Sequence, residues 1–415
     1  MEVCRIETLG ERIRKIRKQQ KLTLEGLAGK SLTKGMLSLI ENNKANPSME
    51  SLNYIAERLG VEVSELLEDV SMQELRDVLE EAEKLYHVEY DKLTDEYEQL
   101  ITLVEPYIPK LTQGYEAARL LEIYSRCMHR EKKSDWKVLF DRAVEMYEHM
   151  NLTARRIEMG IFYSLTKFVQ HNYNESLEIL LNERKKIVLE NTFIDPMSRI
   201  DLDYHESILH FAVGDYTAAV QVMNNAINFS KKNRVFYNID HLYRLAAIHA
   251  MMEKNEEETN YYLKKLIQYG EFADDQEALY FAKFIKAHYL NSYKKNYKEA
   301  FLLLDQYVDE LGVINPLSSF LNLERGKSLY GLSRFEEALE AFNYLDKITI
   351  ADYLHHPLDL SMFYEADAYV ARCHLALGSK EQAMHFAQLA VDNISPLPHT
   401  PYKDFIMETY ELVTK

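Results

Sequence analysis

At 415 residues, 47% hydrophobic and 28% charged, the chain has an ordinary globular composition with room for two or three domains. No stretch approaches eighteen consecutive apolar residues and the N-terminus carries no hydrophobic signal core, so no membrane span and a cytoplasmic location are expected. The net charge of −17 hides a division: residues 1–60 hold eleven Lys and Arg against seven Asp and Glu, whereas the remaining 355 hold 38 against 59. A basic head on an acidic body suits contact with phosphate by the head alone. Cys4, Cys127 and Cys373 are far apart and form no CxxC pair, which fits a reducing compartment and excludes a cysteine zinc site.

The first elements are short and sharply punctuated. Leu9 to Gln19 reads as a basic amphipathic helix with Leu9, Ile13 and Ile16 on one face. Thr23 is placed to cap a second helix ending near Gly29, and Thr33 to cap a third. Asn46-Pro47-Ser48 breaks the chain before a fourth helix, Met49 to Leu59, which Gly60 stops; a fifth short helix is expected before Leu67. Leu27, Ala28, Leu37, Ile40, Leu52, Ile55 and Leu59 are the expected core. Two short helices across a tight turn, the second bearing small polar residues, form a helix-turn-helix.

The residues Arg12-Ile13-Arg14, Arg17, Leu22-Thr23, Leu27-Ala28, Ser38, Ile40-Glu41 and Pro47-Ser48 resemble the pattern of the lambda-repressor/Cro-type helix-turn-helix family. The turn is one residue shorter than the usual form, as in regulators of Gram-positive bacteria that sense secreted peptides. Leu24 and Leu39 depart from the family, which usually has Gln and a basic residue there. The resemblance implies that the third helix enters the major groove of double-stranded DNA. Lys34, Gly35, Met36 and Ser38 would then meet base edges, with Lys34 on a guanine. Thr23, at a helix N-terminus, and Asn42, Asn43 and Lys44, in the following loop, would meet phosphate, and Thr33, capping the third helix, belongs to the same DNA-binding set. So small a reading surface implies a homodimer or higher homo-oligomer on a two-fold site, assembled through the body.

From Ser71 to Glu105 the three-four spacing of Leu75, Val78, Leu79, Ala82, Leu85, Tyr86, Leu93, Tyr97, Leu100, Ile101 and Val104 predicts one long connector helix, ended by Pro106 and Pro109. Beyond it an aromatic, an Ala three later and an apolar residue four after that recur: Tyr216-Ala219-Met223-Ala226, Tyr297-Ala300-Leu304, Phe335-Ala338-Phe342, and Gly378 with Ala383-Ala387-Ala390. Poorer copies run Tyr173-Ser176-Leu180 and from Trp136, at a spacing of about 40 residues. Small residues let paired helices approach and aromatic knobs fill between neighbouring pairs, a role that suits 29 tyrosines. The expected fold is therefore all-α: a five-helix head over 1–68, a connector over 69–109, and a right-handed α-solenoid of tetratricopeptide-like hairpins over 110–415.

In such an array the first helix of each hairpin lines the concave face, where an extended peptide would lie. Counting back from each aromatic places Asp201, Tyr204, His241, Arg244, Lys327, Glu365 and Arg372 on that face, with Asn238 and Asn322 beside them. An Asn amide pairs with a peptide backbone whatever its side chain.

No catalytic, cofactor or metal constellation survives its spacing. Gly29-Lys30-Ser31 and Gly326-Lys327-Ser328 lack the P-loop glycine five residues earlier, where Leu24 and Leu321 stand. His205 and His210 are one residue too far apart for a zinc-binding helix, pointing about 140° from each other. His355-His356-Pro357 reads as a turn with exposed histidines.

A repressor-type head on a repeat body of this length resembles the Rap–Npr–PlcR–PrgX group of peptide-sensing regulators, nearest its neutral-protease-regulator branch (NprR). The resemblance implies quorum sensing, in which a secreted and reimported short peptide occupies the groove and alters the grip of the heads on DNA. Two alternatives stay open: a Rap-like binder or phosphatase of a sporulation response regulator, and a DNA-binding regulator whose repeats serve only for oligomerisation.

Overall fold

The computed structural model describes residues 8–63, 66, 72–88, 94–189, 193–305, 316–345 and 354–415. It is all-α, with twenty-one α-helices and no strand among the described residues. The chain forms two compact units, Met1–Leu152 and Thr153–Lys415.

The first unit opens with α1 (Leu9–Gln19), α2 (Leu24–Ala28), α3 (Lys34–Glu41) and α4 (Met49–Leu59). Each begins where a side-chain oxygen satisfies an otherwise orphaned amide. Thr8 and Glu11 make a reciprocal capping box, Thr23 accepts from the Gly26 amide, Thr33 from Met36 and Ser48 from Ser51. Gly60, left-handed at φ 65°, ends α4. Every expected core residue is interior: Leu27, Ala28, Leu37, Ile40, Leu52, Ile55 and Leu59 pack with Ile13 and Leu66. The expected fifth helix falls largely on residues outside the described set.

Two buried cations organise this small core. Arg17 meets Glu41 through two parallel bonds, Nε–Oε1 at 2.6 Å and Nη2–Oε2 at 2.8 Å, and its Nη1 donates to the Leu22 carbonyl. Arg12 donates to the Leu66 carbonyl at 2.8 Å. The spacing of the basic residues in α1 therefore serves folding as much as charge.

Helices α1 and α3 approach closely at Gly10. A Cβ there would lie 2.1 Å from the Ile40 carbonyl oxygen and 2.7 Å from Asn43 Oδ1, whereas a Cβ on Gly35 would meet nothing nearer than Thr33 Oγ1 at 4.0 Å. Gly10→Ala should therefore destabilise the head by about 1–3 kcal/mol. Gly35→Ala should be neutral or mildly stabilising, by less than about 1 kcal/mol. Thermal unfolding of the two variants side by side checks this, and equal midpoints would refute it.

The single connector helix expected over Ser71–Glu105 is two helices, α5 (Met72–Tyr86) and α6 (Glu96–Val104), packed on each other and followed by a 3-10 segment, Glu105–Lys110. Pro106 and Pro109 lie in that segment, as a chain short of amide donors requires. Helices α7 (Tyr115–Arg130) and α8 (Trp136–His149) form the first hairpin, so the copy starting at Trp136 belongs to this unit.

The second unit is a run of helical hairpins: α9 (Thr153–Phe168) with α10 (Tyr173–Leu189), α11 (Pro196–Val213) with α12 (Tyr216–Asn233), and α13 (Ile239–Met252) with α14 (Glu256–Ala273). Then follow α15 (Gln276–His288) with α16 (Tyr297–Asp305), α17 (Pro316–Gly331) with α18 (Phe335–Asn343), and α19 (Pro357–Ala376) with α20 (Lys380–Ile394); α21 (Pro401–Thr414) packs on the last pair. Every recurring motif marks a second helix. Its small residue is fully buried: Ser176, Ala219, Ala300, Ala338 and Ala383. Helix α14 is a copy that the aromatic pattern misses. Glu256 occupies the aromatic position and Thr259 the alanine position, but Thr259, Leu263 and Leu266 are buried in the same register.

One connection spans the unit. Residues 354–356, just ahead of α19, lie against the first hairpin of this unit: the Tyr173 hydroxyl donates to the His355 carbonyl at 2.8 Å, and the Phe168 ring packs on His355 and His356. The two histidines are half-buried, not exposed as the turn-like sequence suggests, because those aromatics cover them. Pro357, Leu358, Pro398 and Thr400 share a small cavity of about 20 Å³ with Phe211, Tyr216 and Met252.

No helix among the described residues is long and apolar enough to cross a membrane. Cys127 and Cys373 are buried free thiols, each pushed up to about 12 by burial, which leaves them as packing groups.

Candidate DNA-reading face and ligand cavity

On the head, α3 turns Leu37, Ile40 and Glu41 inward and Lys34, Gly35, Met36 and Leu39 outward. Ser38 is half-buried between the two faces. Lys34 Nζ lies 2.9 Å from Glu25 Oε1 with both side chains mostly exposed. Such a surface pair is worth about 0–1 kcal/mol, little enough for a phosphate or base edge to displace Glu25. Thr23 and Thr33 spend their hydroxyl oxygens on capping, accepting from the Gly26 and Met36 amides.

The loop after α3 divides by role. Asn42 donates to the Ser38 carbonyl as a C-terminal cap, and Lys44 is exposed. Asn43, in the left-handed region at φ 57°, accepts from the Gly10 amide at 3.1 Å and donates to Thr8 Oγ1 at 2.5 Å. It ties the start of α1 to the end of α3, so its amide is committed to the fold.

In the second unit the first helices of successive hairpins surround a cavity of about 310 Å³. Tyr204 and Ile208 come from α11, His241, Arg244, Leu245 and Ile248 from α13, and Phe281, Phe284 and Ile285 from α15. Phe168, Phe320, the segment Leu354 to Asp359 and Met362 complete the wall. Of the nine groove positions read from the sequence, Tyr204, His241 and Arg244 meet here. The Arg244 guanidinium stacks over the Phe281 ring at 4.0 Å and bonds to His241 Nδ1; the Tyr204 and His241 rings lie 5.3 Å apart. Burial, then the Arg244 charge, lowers the pKa of His241, so it is neutral at pH 7. Burial pushes the Tyr204 hydroxyl up to about 12 against the pull of Arg244, so it stays a donor. Asp359 is raised by burial, with His356 and Arg244 opposing.

Asp201 and Asn238 pair beside this group, Nδ2 to Oδ1 at 3.0 Å. Burial raises Asp201, while His205 and the Asn238 amide oppose it.

The remaining four groove positions are elsewhere. Lys327 and Glu365 are interior: Lys327 Nζ sits 3.0 Å from Glu324 Oε1 and 2.7 Å from Glu365 Oε2, with Lys327 fully buried. His288 Nδ1 meets Glu324 Oε1 at 2.7 Å and its Nε2 meets the Tyr402 hydroxyl of α21 at 2.9 Å. Asn291, in a π-helical turn Tyr289–Lys294, donates to Glu324 and accepts from Ser328. These side chains converge on one another, which takes Lys327 and Glu365 out of the cavity wall. Arg372 donates to Thr409 of α21 and stacks on Phe405, and Asn322 is buried on α17. The aromatic wall of Phe281, Phe284 and Phe320 went unread in the sequence, because its apolar spacing is that of any buried helix face. Among the described residues no group of three or more His, Cys, Asp or Glu is arranged to hold a metal ion.

Comparison with known proteins decides the nature of the head. Residues 10–71 match the family described as a helix-turn-helix domain. The head is a helix-turn-helix domain. Over 61 residues, 14% of the chain, it is 43% identical to the immunity repressor protein of Bacillus phage phi105. That match spans 42% of the repressor, less than half of the relative's length. The chain is also similar to solved structures. One is Bacillus thuringiensis PlcR in complex with the peptide PapR7 and DNA, at 18% identity and a TM-score of 0.37, covering 65% of this chain and 96% of that one. Another is ComR from Streptococcus thermophilus in complex with DNA and its signalling peptide ComS, at 21% and 0.30, covering 68% and 99%. A third is a tetratricopeptide repeat protein from Parabacteroides merdae, at 14% and 0.43, covering 77% and 99%.

Proposed function

We propose that the chain is a transcriptional regulator that binds specific double-stranded DNA through its helix-turn-helix domain and is gated by a short peptide held among the first helices of its second unit. The observation that carries the peptide half is the cavity: three polar side chains that sequence spacing assigns to the groove, Tyr204, His241 and Arg244, meet there against an apolar wall. A few convergent polar groups in an apolar concavity are the usual form of a ligand site. Asp201 and Asn238 extend it along the same helices. Gating is linkage: a peptide that prefers one arrangement of a dimer, with a coupling of about 1–3 kcal/mol, changes DNA affinity by about 5–150-fold.

The test is genome-wide DNA capture with the purified full-length chain, with and without the small-molecule fraction of dense spent medium. Sites that appear or vanish with that fraction support the reading. Strong sites indifferent to it refute the gating, and no sites in either condition refute the DNA-binding half. At a captured site, Lys34→Gln should weaken binding by about 1–3 kcal/mol and relax the preference at one base pair. Titration against single-base operator variants checks this; uniform weakening would make Lys34 a phosphate contact instead.

A further inference from the structure

Among the described residues lining the cavity, Arg244 is the one strong cation, and its charge is poorly answered. Within 4.0 Å the described residues offer it a single carboxylate, Glu277, at the 4.0 Å limit and on a largely exposed side chain. His241 accepts one of its N–H bonds as a neutral ring, so it orients the guanidinium without neutralising it. Asp359, also in the cavity lining, lies beyond 4.0 Å of the guanidinium and is raised by burial, with His356 and Arg244 opposing. A guanidinium has five N–H donors, and the stacking of this one on Phe281 fixes its plane. The protonated Tyr204 hydroxyl is a further donor nearby. Phe284, Phe320 and Met362 supply apolar lining, the two rings lying beside Phe281.

We propose that this cavity holds a carboxylate on Arg244 together with the bulky apolar side chain next to it in the ligand, seated against Phe284 and Phe320. An apolar cavity of about 150 Å³ holds a benzene ring. The 310 Å³ here suits one aromatic side chain with a short carboxylate-bearing segment, and is too small for a whole peptide. The carboxylate belongs either to a free C-terminus or to an acidic side chain beside an apolar residue. The assignment rests on the peptide-binding reading above and makes it specific: this is the anchor, with the rest of the ligand along α11 and α13.

The test uses the full-length chain and small probes, followed by ligand-observed NMR and calorimetry. N-acetyl-phenylalanine is compared with N-acetyl-phenylalaninamide, and N-acetyl-phenylalanyl-aspartyl amide with its asparaginyl counterpart. At least one carboxylate probe should bind about tenfold or more tighter than its neutral counterpart, as a charge-assisted pair in a partly dry site gives. Which of the two shows the preference distinguishes a C-terminal from a side-chain carboxylate. Arg244→Met, which keeps an apolar stem over Phe281, should bring each pair of probes within about twofold. Arg244→Lys should retain part of the preference, and raising salt from about 0.05 to about 0.5 M should shrink it. Equal binding of acid and neutral probes to the unaltered chain, no binding of any probe, or a preference untouched in Arg244→Met would each overturn the proposal. Spent-medium gating of DNA capture that persists after such a failure would show that the peptide binds by another anchor, so the two readings fail separately.

Discussion

Glu41→Gln should lower the stability of the helix-turn-helix domain by about 3–5 kcal/mol and abolish DNA binding with it. The substitution leaves Arg17 charged in the interior, since an arginine cannot shed its proton there. Its pKa is already raised by the Glu41 hydrogen bond, with burial opposing. The Leu22 carbonyl and the amide oxygen of the new side chain would remain as neutral acceptors, with no negative charge to answer the guanidinium. The size of the effect comes from that stranded charge and says little about what the intact pair contributes. Replacing both partners, as Arg17→Met with Glu41→Leu, should accordingly recover most of the loss. Thermal and urea unfolding of the single and double variants separates the cases. At about 2–4 °C per kcal/mol for a unit of this size, the single variant should melt roughly 6–20 °C lower. A single variant as stable as the parent would show that water reaches Arg17 and that the pair is not interior.

Lys327→Met should cost the second unit a similar amount at neutral pH, and the loss should depend on pH. Burial alone would push Glu324 up, but Lys327 and His288 overcome it and hold the carboxyl down to about 2. A folded-state value below the unfolded value of about 4.3 means stability present above that value and lost as pH falls toward 2. The difference corresponds to roughly 3 kcal/mol at pH 7. Without Lys327, Glu324 and Glu365 share the interior with no ammonium between them. The gap between parent and variant in urea midpoint should therefore be wide at pH 7 and narrow as pH falls from about 4.3 toward 2, where Glu324 protonates in the parent and Lys327 itself becomes the unpaired charge. On the alkaline side burial lowers Lys327 while Glu324 and Glu365 raise it more, so its contribution persists through the ordinary lysine range. An equal gap at pH 3 and pH 7 would contradict the account.

What was legible in the sequence was what short-range physics decides. Thr23, Thr33 and Gly60 mark helix ends because a cap involves residues two or three apart. The core of the head follows from spacing on single helices. The break within Ser71–Glu105 was not legible, since no Gly or Pro marks it and the apolar spacing runs on. The α14 repeat was hidden because Glu256 stands where the other copies show an aromatic, although Leu263 and Leu266 carried its register. Of the nine positions reached by counting, Tyr204, His241 and Arg244 line one cavity. Counting could not foresee that Lys327 and Glu365, equivalent by count, are taken up by Glu324, His288 and the final helix. Lys327 finds its partners on its own helix and 38 residues on, and only packing between hairpins decides that it meets them and not the cavity. The eleven basic residues of the head carry the same lesson, since Arg12 and Arg17 are spent inside. The charge that can reach phosphate is smaller than the count.

The bond from Tyr173 to His355 joins positions 182 apart in the chain. Repeat arrays ordinarily unfold piecemeal, because each hairpin is stabilised only by its immediate neighbours and the end hairpins fray first. Here the segment before α19 rests on the first hairpin of the second unit, and residues near α21 reach Phe211 and Tyr216. The ends are thereby held from both sides, and loosening α9–α10 also releases α19–α21. Such a ring folds more slowly than an open row, since a long loop must close before its last contacts form. In return it melts as one cooperative body, and a change felt at one hairpin is shared by the whole circuit.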